Sequence, residues 1–144
     1  MTTIAFRDGV MATDSLVTDG SNIYRGTTKK IYRIGDSLLS MCGNLGLFDV
    51  MVDWVSRGMP LGDLPNVGNE SDFAAMLVSR DRLVGFTEKF RIQEHTAEFH
   101  AMGSGNEIAL GAMAMGATAE QAVETACRFD VYSAGPIQVE RLTS

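Results

Sequence analysis

Met1-Thr2-Thr3-Ile4-Ala5-Phe6-Arg7-Asp8-Gly9-Val10-Met11-Ala12-Thr13-Asp14 is the stretch whose reading decides the fold. Apolar Ile4 and Phe6, the turn residues Arg7-Asp8-Gly9, and the run Val10 to Thr13 ending at Asp14 spell strand, turn, strand. A chain that enters a core strand at its very start holds that start rigidly. Thr2 follows Met1 directly, and loss of the methionine, which is general when the next residue is small, would leave a threonine with a hydroxyl nucleophile and a free α-amino group. That amine has an ordinary pKa of about 7.7 to 8.0, against about 10.4 for lysine, so near neutral pH a sizeable fraction can take the hydroxyl proton. A threonine behind Met1 is common, so its neighbours in the fold must decide whether it does chemistry.

Lys29-Lys30 opens a second strand pair, Ile31 to Ile34 and Ser37 to Met41 around Gly35-Asp36, which runs into Cys42-Gly43-Asn44-Leu45-Gly46. Leu47 to Arg57 then reads as an amphipathic helix with Val50, Met51, Trp54 and Val55 on its apolar face. Gly58 to Asp72 is a loop rich in Gly, Pro, Asn and Asp. Strands are predicted at Ala74 to Ser79, Leu83 to Phe86, Lys89 to Ile92 and Thr96 to Met102. Helices follow near Asn106 to Met115 and Ala119 to Arg128, the second opened by the capping box Thr118-Ala119-Glu120-Gln121. A last strand runs from Ile137 to Leu142. Gly103-Ser104-Gly105 lacks the third glycine of a dinucleotide loop, because Ile108 stands there, and it is no serine-hydrolase elbow, because Met102 stands where glycine is needed. On its own Ser104 reads as a helix N-cap. Asp130, at a helix C-terminus, opposes the helix dipole and wants another partner.

In combination these pieces resemble a known family, the proteasome β subunits and the bacterial HslV peptidase, within the N-terminal nucleophile hydrolases. The likeness lies in Thr2-Thr3-Ile4, Asp14-Ser15, Lys29-Lys30-Ile31, Gly43 before a helix, Gly103-Ser104-Gly105 and Asp130-Val131-Tyr132-Ser133-Ala134-Gly135, and it spans nearly the whole chain. The resemblance implies an α+β fold, a four-layer αββα sandwich of two antiparallel sheets, in a single domain over residues 1–144. It implies that Thr2 is the nucleophile, that Asp14 and Lys30 form its ion pair, that the Gly43 N–H receives the oxyanion, and that Ser104, Asp130 and Ser133 form the polar cluster around the amine. By family position Val17, Met41 and Leu45 line the pocket for the residue on the acyl side of the cut bond, and Thr18 offers backbone hydrogen bonds to an extended peptide. The partners implied are a peptide or unfolded protein as substrate, a homo-oligomeric ring of like subunits and an unfoldase ATPase. The family pattern carries a second long helix after the first. Here only Gly58 to Asp72 is available for it, so it is expected to be missing or reduced to a turn.

The expected activity is therefore threonine-type hydrolysis of amide bonds, with no cofactor or metal. Two alternatives stay open: a catalytically silent ring subunit, which retention of Met1 would favour, and a non-peptide amidase on the same fold. Composition fits this picture, since 144 residues suit one domain and 45% hydrophobic content supports a substantial core. A net charge of −6 and a pI near 4.8 argue against nucleic acid as the main partner. Cys42 and Cys127 read as small hydrophobes in a reducing compartment, and His95 and His100 as structural or exposed side chains. No signal peptide or long apolar run is present, and a cytoplasmic protein is expected. The nine methionines include Met51, Met113 and Met115 on helices, where they would fill either the chain's own core or a subunit contact.

Overall fold

β1 (Thr3–Arg7) and β2 (Val10–Thr13) form the hairpin read from the opening stretch, reversing at Asp8 and Gly9, both at positive φ. The computed structural model describes residues 2–19, 21–24, 28–67, 73–87, 92–95 and 97–142. After the hairpin come β3 (Val17–Asp19), β4 (Asn22–Tyr24), β5 (Ile31–Ile34), β6 (Ser37–Cys42), a 3-10 turn at Leu45–Leu47 and α1 (Phe48–Ser56). The chain continues through β7 (Ala74–Val78), β8 (Leu83–Thr87), β9 (Ile92–His95), β10 (Phe99–Gly103), α2 (Asn106–Ala114), α3 (Ala119–Phe129) and β11 (Gln138–Arg141). Among the described residues the strands make a four-stranded sheet in the order β10-β1-β2-β11, a five-stranded sheet in the order β5-β6-β7-β8-β9, and a separate β3-β4 hairpin, all antiparallel.

Side-chain alternation stacks these elements into layers. Successive strand residues face opposite ways, so Ile4 and Met11 point toward the second sheet and pack on Ile31, Leu38, Met76 and Val78. Their neighbours Ala5 and Ala12 point the other way, against Ala109, Met113, Ala122 and Val123 of α2 and α3. Alanine on both sides of that contact lets the helices sit close on the sheet. The far face of the five-stranded sheet presents Leu39, Met41, Ala75, Leu77 and Phe86 to Phe48, Met51 and Trp54 of α1. The Trp54 ring meets Phe86 edge-on at 5.6 Å, and its N–H donates to the Pro60 carbonyl, which meets the polar demand of a buried indole. Helices, sheet, sheet and helix give the expected αββα sandwich.

The prediction differs from this structure in a few elements. Val50 is exposed, and Phe48 takes its place on the buried face of α1. The strand expected at Lys89 to Ile92 begins instead at Ile92, where pairing of Phe86 with Ile92 and of Leu83 with His95 sets the register; Lys89 to Arg91 lie outside the described residues. The β3-β4 hairpin is additional. Met51 and Met113 fill the chain's own core, whereas Met115 is exposed. Residues 57–67 carry turns and no helix, and 68–72 lie outside the described residues, so as far as described no second long helix follows α1. The capping box forms as read, with Gln121 N–H donating to Thr118 Oγ1 at 3.1 Å and Thr118 N–H donating to Gln121 Oε1 at 3.0 Å. No helix among the described residues is long and apolar enough to cross a membrane.

Candidate active site

The first hairpin brings Thr2 and Asp14 together. Thr2 precedes β1 and Asp14 follows β2, so antiparallel pairing makes them neighbours: Thr3 N–H donates to Asp14 Oδ1 and Asp14 N–H to the Thr3 carbonyl, each at 3.3 Å. Lys30 comes from the other sheet, immediately before β5. Its Nζ lies 2.9 Å from Thr2 Oγ1, 3.0 Å from Asp14 Oδ1 and 2.7 Å from the Leu16 carbonyl. An ammonium has three N–H donors and no acceptor, so all three are committed. Asp14 Oδ2 accepts from the N–H groups of Leu16 at 3.2 Å and Ala134 at 3.1 Å. Lys30 is 1% and Asp14 0% exposed, a degree of burial that an ion pair tolerates only when its remaining hydrogen-bonding capacity is met, as it is here. Because Lys30 donates to Thr2 Oγ1, that oxygen acts as acceptor, and negative charge growing on it would be stabilised in place.

A second polar group closes over the same residues from the β10–α2 turn and the segment after α3. Gly103 has φ +97°, and a Cβ there would fall on the Thr2 carbonyl oxygen; at Gly105 it would strike Thr3 Oγ1. Glycine at both positions lets the turn lie directly on Thr2-Thr3, where Ser104 N–H donates to the Thr2 carbonyl at 2.9 Å. Ser104 Oγ and Ser133 Oγ each donate to Asp130 Oδ2 at 2.6 Å, and Ser133 Oγ lies 2.7 Å from Thr3 Oγ1. Burial pushes the Asp130 carboxyl up, but hydrogen bonds from Ser104, Ser133 and the Tyr132 N–H, with the pull of the chain-terminal ammonium, outweigh it and hold the group below its usual value. These donors are the partners that an acid at a helix C-terminus requires. Gly103→Ala should cost about 2–4 kcal/mol through backbone strain and loss of the Ser104–Thr2 bond. A denaturation midpoint unchanged from wild type would show that the turn does not bear on Thr2.

The remaining predicted residues lie on β3, on β6 and in the turn that follows β6. Gly43 follows β6 at φ 116°, a conformation that favours glycine, and its neighbour Cys42 packs against Gly103. Burial pushes the Cys42 thiol up to about 12, so it stays protonated. Met41 is fully buried in the cluster under α1, Val17 is half-buried and Leu45 is exposed, so of the three apolar side chains only Val17 and Leu45 present accessible surface. Thr18 is exposed on β3, paired with Ile23. The structure thus unites Thr2, Asp14 and Lys30 by direct contact, and Ser104, Asp130 and Ser133 likewise. Sequence reasoning missed the groups that link and support them. Thr3 joins the two clusters, Leu16 lends its carbonyl, Ala134 lends its N–H, and Ser15 donates its own N–H to the Ala134 carbonyl at 2.8 Å. The doubled threonine was the one visible signal for Thr3.

No protein-family model matches this sequence, and no curated protein matches it either. Solved structures do. Thiobacillus denitrificans BPH in complex with epoxomicin is 23% identical, with 99% of each chain covered and a TM-score of 0.72. A second structure of T. denitrificans BPH is 24% identical, covering 99% of this chain and 98% of that one, with a TM-score of 0.71. Eukaryotic HslV from Trypanosoma brucei is 17% identical over 96% of this chain and 97% of its own, with a TM-score of 0.75. At these identities the likeness speaks for the fold. The chain has the αββα sandwich fold of these HslV- and proteasome-like structures.

Proposed function

We propose that this protein is an N-terminal threonine peptidase in which Thr2, freed by loss of Met1, cuts peptide bonds through an acyl-enzyme intermediate. The observation that carries this reading is the buried Lys30 ammonium donating to Thr2 Oγ1 at 2.9 Å while held by Asp14 at 3.0 Å. In the proposed cycle Thr2 Oγ attacks the substrate carbonyl carbon and its proton passes to the Thr2 α-amino group. Lys30 stabilises the forming alkoxide, and the Gly43 N–H receives the oxyanion of the tetrahedral intermediate. The α-ammonium returns the proton to the leaving amine, which departs as the C–N bond breaks. Water, deprotonated by the same amine, then hydrolyses the ester and frees Thr2. Ser104, Asp130 and Ser133 orient the amine, and Asp130, kept ionised, offsets its charge when protonated.

The acyl-side pocket is proposed on Val17 and Leu45, Met41 being fully buried under α1, and Thr18 is proposed to align the substrate backbone. A charged side chain entering there would lose hydration without a partner, while an apolar one gains about 25 cal/mol per Å² buried. Cleavage after Leu, Phe, Tyr or Met is therefore expected over Arg or Asp. The whole reading is tested by intact-mass analysis of the N-terminus together with profiling on a mixed peptide library. Loss of one methionine with cleavage after apolar residues is the expected result. Full retention of Met1 in an inactive protein would leave a silent subunit, and dominant cleavage after basic or acidic residues would misplace the pocket. Epoxomicin, bound in one T. denitrificans BPH structure, supplies a second probe for occupancy of the site. The HslV-like fold favours assembly into a homo-oligomeric ring, and delivery of unfolded protein by an unfoldase ATPase is proposed alongside it. A monodisperse 15.6 kDa species at micromolar concentration would defeat the ring.

A further inference from the structure

Gln138, at the start of β11, uses its amide oxygen and both amide N–H groups on two other segments of the chain. Its Oε1 accepts the backbone N–H of Lys30 at 2.9 Å, and its Nε2 donates to the Thr28 carbonyl at 2.6 Å and to Ser15 Oγ at 2.9 Å. These partners belong to the two segments that deliver the buried ion pair: Thr28 and Lys30 lie on the approach to β5, and Ser15 follows Asp14. Ser15 is fixed in turn, its Oγ donating to the Pro136 carbonyl at 2.5 Å. The Lys30 N–H stands just outside the β5 ladder, so the glutamine satisfies a donor that the sheet leaves over. From the other side Ser40 Oγ donates to the Lys30 carbonyl at 2.7 Å, so the lysine's backbone is held at both ends by side chains from different sheets. A single amide thus ties the edge of the four-stranded sheet to the residue that carries the ammonium.

We propose that Gln138 is a positioning residue for Lys30, setting the backbone from which the ammonium reaches Thr2 Oγ1. The proposal rests on the reading of Lys30 as part of the catalytic unit. The amide's hydrogen bonds go to Lys30, Thr28 and Ser15 and not to Thr2, so its effect passes through the lysine. Slackening it lets the ammonium draw back from the nucleophile, which weakens stabilisation of the alkoxide and relieves the charge that disfavours protonation of the α-amine.

The test compares wild type with Gln138→Met, which keeps length and packing and loses the amide, and with Gln138→Glu, which keeps the acceptor and loses both donors. For Gln138→Met, kcat per folded chain should fall about 10–100-fold with KM within about threefold, the mark of an interaction realised in the transition state. The acid limb of its kcat/KM profile should move to higher pH by roughly half a unit, because the base gains protons more easily once the ammonium is farther away. Gln138→Glu should show a defect relative to wild type that shrinks as pH falls, since a protonated carboxyl regains one donor. Unchanged kcat and pH profile in Gln138→Met, or a loss matching only its unfolded fraction, would overturn the proposal. So would failure of both variants to fold, which would make Gln138 a stability residue. If wild type cleaves no peptide, the peptidase reading fails separately. The positioning is then decided by NMR of the Lys30 ammonium protons: slow exchange in wild type that becomes fast in Gln138→Met supports it, and identical exchange in both rejects it.

Discussion

Thr2→Ala is expected to abolish peptide hydrolysis, by at least a thousandfold, and to leave the chain folded. The substitution removes the oxygen that would attack the substrate, and no other hydroxyl receives the Lys30 ammonium among the contacts that hold it. A covalent role supplies several kcal/mol of barrier lowering, and each 1.36 kcal/mol is tenfold in rate. Stability should fall by about 1–3 kcal/mol, the worth of a buried hydrogen bond to a charged group, which lies within the margin of an ordinary domain. Circular dichroism and turnover measured on the same preparation make the check. Residual turnover within a factor of about ten of wild type is incompatible with a covalent Thr2.

Lys30→Ala should cost nearly as much activity, because groups that act as one proton-transfer unit fail together. It should also destabilise the fold by about 3–5 kcal/mol, since a carboxylate at 0% exposure loses its counter-charge. The chain is still expected to fold, for Asp14 keeps three backbone donors, the N–H groups of Thr3, Leu16 and Ala134. Asp14→Asn should be milder than Lys30→Ala, as the ammonium retains Thr2 Oγ1 and the Leu16 carbonyl. Kinetics on the folded fraction, with denaturant titration in parallel, separates the two effects. Activity unchanged in Lys30→Ala while Thr2 proves essential would remove Lys30 from the site.

Elements whose side chains face a dry interior were legible in the sequence. Ile4, Phe6 and Met11 alternate because one face of their hairpin is core, and Met51, Trp54 and Val55 recur at helical spacing because α1 buries one stripe. The β3-β4 hairpin gave no such signal: strands of three residues are too short to show a period, and Ile23 and Tyr24 are exposed, so no burial pattern marks them. The start of β9 was misjudged because the register is set by long-range pairing with β8. For the site, Thr2, Asp14 and Lys30 were found by order along the chain and by family likeness, and each alone looks like a surface residue. Gln138 was invisible for a physical reason. A glutamine on an edge strand normally means a solvated face, and only the folded chain shows that the polar groups it meets are the Lys30 amide, the Thr28 carbonyl and the Ser15 hydroxyl.

The contacts around Thr2-Thr3 join the two ends of the chain. Thr3 meets Ser133, Asp14 meets Ala134, and Ser15 meets the Pro136 carbonyl and the Gln138 amide, pairings that span 120 to 130 positions of sequence. Closing loops of that length costs entropy before the contacts offset it, so these pairings are expected to form late in folding. Asp14 and Lys30 are made soon after the threonine, whereas Ser104, Asp130 and Ser133 follow only with the second half of the sequence. A half-made chain therefore carries the hydroxyl and its ion pair without the Gln138 amide that braces Lys30 or the Ser104–Asp130–Ser133 cluster, so the reactive groups are made well before the groups that fix them in place.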